Sequence, residues 1–141
     1  MSSENGAAFM AHGDATELYG IPGLPFVPAI RIPSGGDLVF VSGCLGLPIP
    51  GDTENDVRSE VRRAFRALSR SLVDAGATLH DVVSVTKFLV DLERDNAVVA
   101  EETRVHLPHL PTSTTVEVVR LVPPDLHFEI CAVAVVHDRP R

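Results

Sequence analysis

The chain has no tryptophan and a single tyrosine, Tyr19, and aromatic residues make up only 5% of its 141 positions. Its packing must therefore rest on Val, Leu, Ala and Ile, small aliphatic residues that suit thin layers of sheet and helix and that gain burial from a partner subunit. Positive charge is also scarce. Twelve Lys and Arg face nineteen Asp and Glu, a formal net charge of −7, and a field of that sign repels phosphate backbones. Nucleic acid is disfavoured as a partner. The two cysteines, Cys44 and Cys131, form no CxxC or other metal-ligand spacing and are too few for a disulfide framework. No apolar run approaches the roughly 18 residues needed to cross a bilayer, and the first residues, MSSENGAAFMAHGD, carry no basic segment followed by an apolar one. The expectation is a soluble, cytoplasmic, single-domain protein without membrane partners.

What is present reads as a mixed fold. Residues 1–22 are Gly-punctuated and are expected to form a loosely docked arm, with one domain over 23–138 and a short tail at 139–141. Phe26 to Ile32 predicts a first strand, placed at an edge because Pro28 lies inside it. Ser34-Gly35-Gly36-Asp37 is a turn signal leading to a second strand, Leu38 to Gly43, so that the two should form a hairpin. Thr53 is the expected N-cap of a helix in which Val57, Val61, Ala64, Phe65, Leu68 and Leu72 recur at three- and four-residue steps, stopped by Gly76. Arg58, Arg62, Arg63, Arg66 and Arg70 lie on its other side, and with Glu60 and Asp74 among them they read as a solvated face. Val82 to Asp91 predicts a third strand, Glu93 to Val105 a second helix, Thr114 to Val122 a fourth strand and His127 to Val136 a fifth. The order is ββαβαββ, an α+β arrangement.

The last strand carries two alternating sets. Ile130, Ala132, Ala134 and Val136 suit close helix packing, whereas Glu129, Cys131, Val133 and Val135 form a second, largely apolar face that needs a cover.

Four blocks, LVFVSG at 38–43, AGATLHDVVSVTKFLVDL at 75–92, TTVEVVRL at 114–121 and FEICAVAV at 128–135, resemble in order and spacing the Rid superfamily, also called YjgF/YER057c/UK114. The resemblance spans about Pro25 to Val136. It implies a chorismate-mutase-like subunit in a homotrimer, sheets inside and helices outside, with small-molecule pockets between subunits. It also implies a site. In imine-hydrolysing members an arginine in a P-A-R-S/T segment grips the substrate carboxylate through its planar fork of donors; here the segment is Pro111-Thr112-Ser113-Thr114, and Ser113 stands in its place with no charge. Arg104, near the end of the second helix, is the one candidate substitute. The family's water-activating glutamate matches Glu129, a candidate general acid or base. Phe26 matches a pocket tyrosine without its hydroxyl, Gly43 a glycine whose backbone N–H can face the ligand, and Phe88 an apolar wall.

Ser113 and Thr115 would help orient the ligand. Cys44 and Cys131 replace polar residues, and both would lie near the pocket; Cys44 is the better candidate nucleophile, against the competing reading of a small buried hydrophobe. His127, two residues before Glu129, could share in proton transfer. His106 and His109 lack the spacing of a helical metal pair, so neither metal nor other cofactor is expected. Three functions follow in order: a Rid-type enzyme acting on an imine, enamine or related carbonyl-derived metabolite other than the usual 2-imino acid; a non-catalytic ligand-binding trimer; and a ribonuclease.

Overall fold

The computed structural model describes residues 10–24, 26–33 and 35–137. The start of the expected arm, Ser34 of the expected turn and the tail at 139–141 fall outside them. Within the described part of the arm, β1 (Met10–His12) is followed by α1 (Ala15–Tyr19), capped by the Asp14 carboxylate, which accepts from the Thr16 and Glu17 amides. β1 pairs antiparallel with β2 (Ala29–Arg31). The hairpin expected between the first two strands of the domain is therefore not formed: β2 pairs with the arm, and β3 (Asp37–Leu45) enters the main sheet alone. Pro28 lies just outside β2, so its missing N–H removes no bond from the ladder, and among the described residues β2 pairs with β1 alone.

The main sheet has the order β3-β6-β4-β5, completed by β4 (Val82–Leu89), β5 (Thr112–Glu117) and β6 (Phe128–Val136). β6 is antiparallel to both β3 and β4, while β4 and β5 run parallel. The parallel pair needs a crossover, supplied by α3 (Leu92–His106). α2 (Val57–Asp74) packs across β3 and β6. Its apolar steps Val61, Ala64, Phe65, Leu68 and Leu72 are fully buried against Phe128, Ile130 and Ala134 of β6 and Val85 and Leu89 of β4. Asp56, not Thr53, is the N-cap, because its carboxylate accepts from the Ser59 amide; Gly76 follows the last turn at φ +84°.

The arginine-bearing side of α2 is not simply solvated. Glu60 and Arg63 are buried. Arg63 donates to the carbonyls of Gly46 and Glu54, and Arg58 and Arg62 bind the buried Glu102 of α3. Burial pushes the Glu102 carboxyl up, but the hydrogen bonds from Arg62 and Arg58 outweigh it and hold the group below the usual carboxylate range. Glu60 reaches the opposite way. It accepts from the His127 and Phe128 amides at 2.6 and 2.9 Å and from His127 Nδ1 at 2.8 Å. One carboxylate thus fastens the start of β6 to α2. β3 can approach this turn because residue 46 is glycine: a Cβ there would overlap the Glu60 carbonyl.

α2 and α3 both cover one face of the sheet. The other face carries Leu38 and Phe40 of β3, 58% and 74% exposed, and continues through Val133 of β6. Of the β6 residues that alternation assigns to this face, Glu129, Cys131 and Val133 are half-buried and Val135 is already fully buried, so the open apolar surface lies mainly on β3.

Candidate functional site

Strand register sorts the site residues into two groups. On the open face, Leu45, Glu129, Phe88 and Val116 stand side by side across all four strands. The next row inward joins Cys131 to Thr86 and Thr114. β3 reaches this corner through a bulge between Val41 and Cys44, which contains Ser42 and Gly43. A bulge inserts an unpaired residue and re-aims the strand. Here it brings Gly43 under the Glu129 side chain, so that a Cβ on Gly43 would overlap Glu129 Oε2. Glycine is required for that approach. Glu129 is half-buried between Leu45 and Phe88, an acidic group held at the mouth of an apolar wall.

Glu129, Gly43, Phe88 and Cys131 therefore come together on one face. The other expected site residues do not join them. Ser113 and Thr115 lie in register with Val85 and Lys87, on the helix-covered face. The hydroxyls of β5 that share the face of Glu129 are those of Thr112 and Thr114. Parity along β5 carries this assignment, and Thr86 and Thr114 were legible as partners of Cys131 once the register was known.

Cys44 also faces the helices. It lies opposite Ile130, is buried in the core and directs its Sγ toward the Ser42 carbonyl at 3.4 Å. Burial pushes the thiol's pKa up despite a hydrogen bond with Ser71, and the charges of Cys131 and Glu129 push the same way. Such a thiol holds little thiolate at neutral pH. Phe26 packs edge-on to Tyr19, with ring centroids 6.3 Å apart. Arg104 donates to the Gly23 carbonyl, tying α3 to the segment before β2.

His127 does not project beside Glu129 as alternation along the strand implies. It precedes β6, and its ring binds Glu60 of α2. His106 stacks on Phe65 at 4.5 Å and bonds the Glu102 carbonyl, and His109 Nε2 meets the Val82 carbonyl.

Sequence reasoning passed over Lys87. It is the chain's only lysine among twelve basic residues, and it points into the covered face of β4 with 3% of its surface exposed.

Residues 21–136 match the family model described as Endoribonuclease L-PSP. A RutC family protein of Haemophilus influenzae is 34% identical over 116 residues, covering 79% of this chain and 86% of the relative. Escherichia coli TdcF, provisionally named a reactive intermediate deaminase, is 32% identical over 116 residues, with 79% of this chain and 86% of TdcF covered. The crystal structure of TdcF with bound serine superposes with a TM-score of 0.63 over 72% of this chain and 81% of that one. Rv2704 of Mycobacterium tuberculosis, a member of the YjgF/YER057c/UK114 family, is 31% identical with a TM-score of 0.63 over 91% and 98% of the two chains.

Proposed function

We propose, from the premise that this chain belongs to the Endoribonuclease L-PSP family of Rid (YjgF/YER057c/UK114) proteins, that it acts on a small imine, enamine or related carbonyl-derived metabolite in pockets between the subunits of a cytoplasmic homotrimer. The observation that carries this reading is the placement of Glu129 over Gly43, beside the apolar Phe88 and Leu45. A carboxylate held at such a wall can take a proton from water as the water attacks an imine carbon, and can return it to the departing nitrogen. Binding of serine by the related TdcF supports a small ligand of amino-acid size. The exposed Leu38 and Phe40 supply a surface for a second subunit to cover. Ser113 lies on the face opposite Glu129, so a pocket that uses both draws them from different subunits.

Ser113 offers one hydroxyl where imine-hydrolysing relatives of this kind place a guanidinium, so the reading assigns a ligand that does not depend on a bidentate carboxylate grip. The test is hydrolysis of freshly generated 2-iminopropionate and of the carboxylate-free imine 1-pyrroline. The wild-type protein is expected to favour 1-pyrroline, and Ser113→Arg to gain roughly 10- to 100-fold in kcat/KM on 2-iminopropionate, the worth of a charge-assisted hydrogen bond. A wild-type rate on 2-iminopropionate equal to that of an arginine-bearing relative such as one with P-A-R-S at this place would overturn the assignment. A ribonuclease has no support beyond the family's descriptive label, since the net charge of −7 disfavours RNA.

A further inference from the structure

Eleven of the chain's twelve basic residues are arginine, and the single lysine lies where a charge is most costly. Lys87 belongs to a row on the helix-covered face that runs Cys44, Ile130, Lys87, Thr115 across the four strands. Its Nζ has one hydrogen-bond partner among the described residues, the Thr103 hydroxyl of α3 at 3.5 Å, and no carboxylate within ion-pair distance. Thr103 spends its own proton on the Val99 carbonyl at 2.7 Å, so only its oxygen lone pairs face the amine.

The buried Arg63 shows the contrast. Its guanidinium donates to two carbonyls and lies 3.7 Å from Asp52, so this fold satisfies a buried cation where only charge is needed. Lys87 is left without such satisfaction. An amine, unlike a guanidinium, can lose its proton and form a covalent bond to carbon.

We propose that Lys87 is an imine-forming lysine, whose Nζ condenses with a small aldehyde or ketone reached through the edge of the sheet beside Ser113 and Thr115. Those two residues are half-buried where Lys87 is buried, so the row opens toward β5. In the step, the lone pair of the neutral amine forms the N–C bond while the carbonyl π pair moves to oxygen, which takes up a proton. The resulting carbinolamine expels that oxygen as water, the nitrogen lone pair forming C=N, and the product is a protonated imine; no electrons are gained or lost. The amine nitrogen supplies the first proton to that oxygen, and the hydroxyl of Thr115, in register with Lys87, is assigned to relay from solvent the second proton that makes it water.

Burial first, and the neighbouring charge of Arg104 second, push the Lys87 pKa down to about 8. Both are features of amines that attack carbonyls at neutral pH. Against an ordinary lysine near 10.4, this gives about two hundred-fold more neutral amine at pH 7. Within one subunit Lys87 lies on the face opposite Glu129, and the test of the proposal does not depend on imine hydrolysis.

The experiment is reductive trapping of the full-length protein with sodium cyanoborohydride and either pyruvate or propanal, followed by intact mass and peptide mapping. A single lysine makes the assignment unambiguous, and the terminal α-amine serves as the internal reference. The expected result is an adduct on Lys87 that forms faster than that on the terminus, with a rate falling about tenfold per pH unit below 8. Labelling by pyruvate alone would assign a carboxylate-bearing carbonyl held with the help of Arg104; labelling by both would assign an uncharged class. An adduct confined to the terminus with either probe would overturn the proposal. Because mapping is done on the wild-type protein, the result does not rest on a variant that must fold.

Discussion

Replacing Glu60 with alanine is expected to cost about 3–5 kcal/mol of stability, in the range for removing one partner from a buried charged network. The Glu60 carboxylate accepts two backbone amides and a histidine nitrogen at the start of β6. Phe128, whose amide is among them, is fully buried, so water cannot replace the lost acceptor without opening the core. For a domain of this size the thermal midpoint should fall on the order of 10 °C. Arg70→Ala is the control: the exposed Arg70–Asp74 pair on the same helix is worth about 0.5 kcal/mol or less. Thermal melts of the two variants beside the wild type decide the matter. Equal small shifts would mean that Glu60 does not fasten β6 to α2.

Gly43→Ala is expected to leave the fold standing and to remove about a hundred-fold of activity. The added methyl meets the far end of a flexible side chain, the Glu129 carboxylate, and not the backbone. Glu129 can swing aside at modest cost in stability, but a carboxylate displaced by an ångström or more no longer addresses the same atom, and misplacement on that scale costs about 10²-fold. Glycine 46 is the opposite case, since a Cβ there meets the Glu60 carbonyl, which cannot swing away. Kinetics and melts of Gly43→Ala should separate: a large loss in kcat/KM with a nearly unchanged midpoint. A variant with normal kinetics would show that the carboxylate's position over the bulge is immaterial.

Much of the fold was legible because it depends on local periodicity. The three- and four-residue steps from Val57 to Leu72 locate α2, and alternation along β6 separates Ile130, Ala132 and Ala134 from Glu129 and Cys131. What the chain does not announce is pairing. Phe26 to Ile32 reads as one half of a hairpin, yet β2 pairs with Met10–His12, because a three-residue strand carries too little pattern to name its neighbour.

The site was legible in the same uneven way. Family resemblance drew Glu129, Gly43, Phe88 and Cys131 to one place, and register brings them there. It also drew Cys44, Ser113 and Thr115, which register puts on the other face. The bulge explains Cys44: an extra residue between Val41 and Cys44 reverses the alternation that would have aimed its thiol outward. Glu60 looked like one of several acids among arginines, because its partners lie sixty-seven and sixty-eight residues away.

The proposed reaction rests on acid/base chemistry by the Glu129 carboxylate on an imine. Its most direct test is steady-state hydrolysis of 1-pyrroline by wild type and Glu129→Gln, with folding of both checked by thermal melts. Glutamine keeps the shape and removes the proton exchange. The expected result for Glu129→Gln is a kcat/KM lower by about 10²- to 10⁴-fold at an unchanged melting midpoint. A Glu129→Gln protein that hydrolyses the imine as fast as the wild type would contradict it.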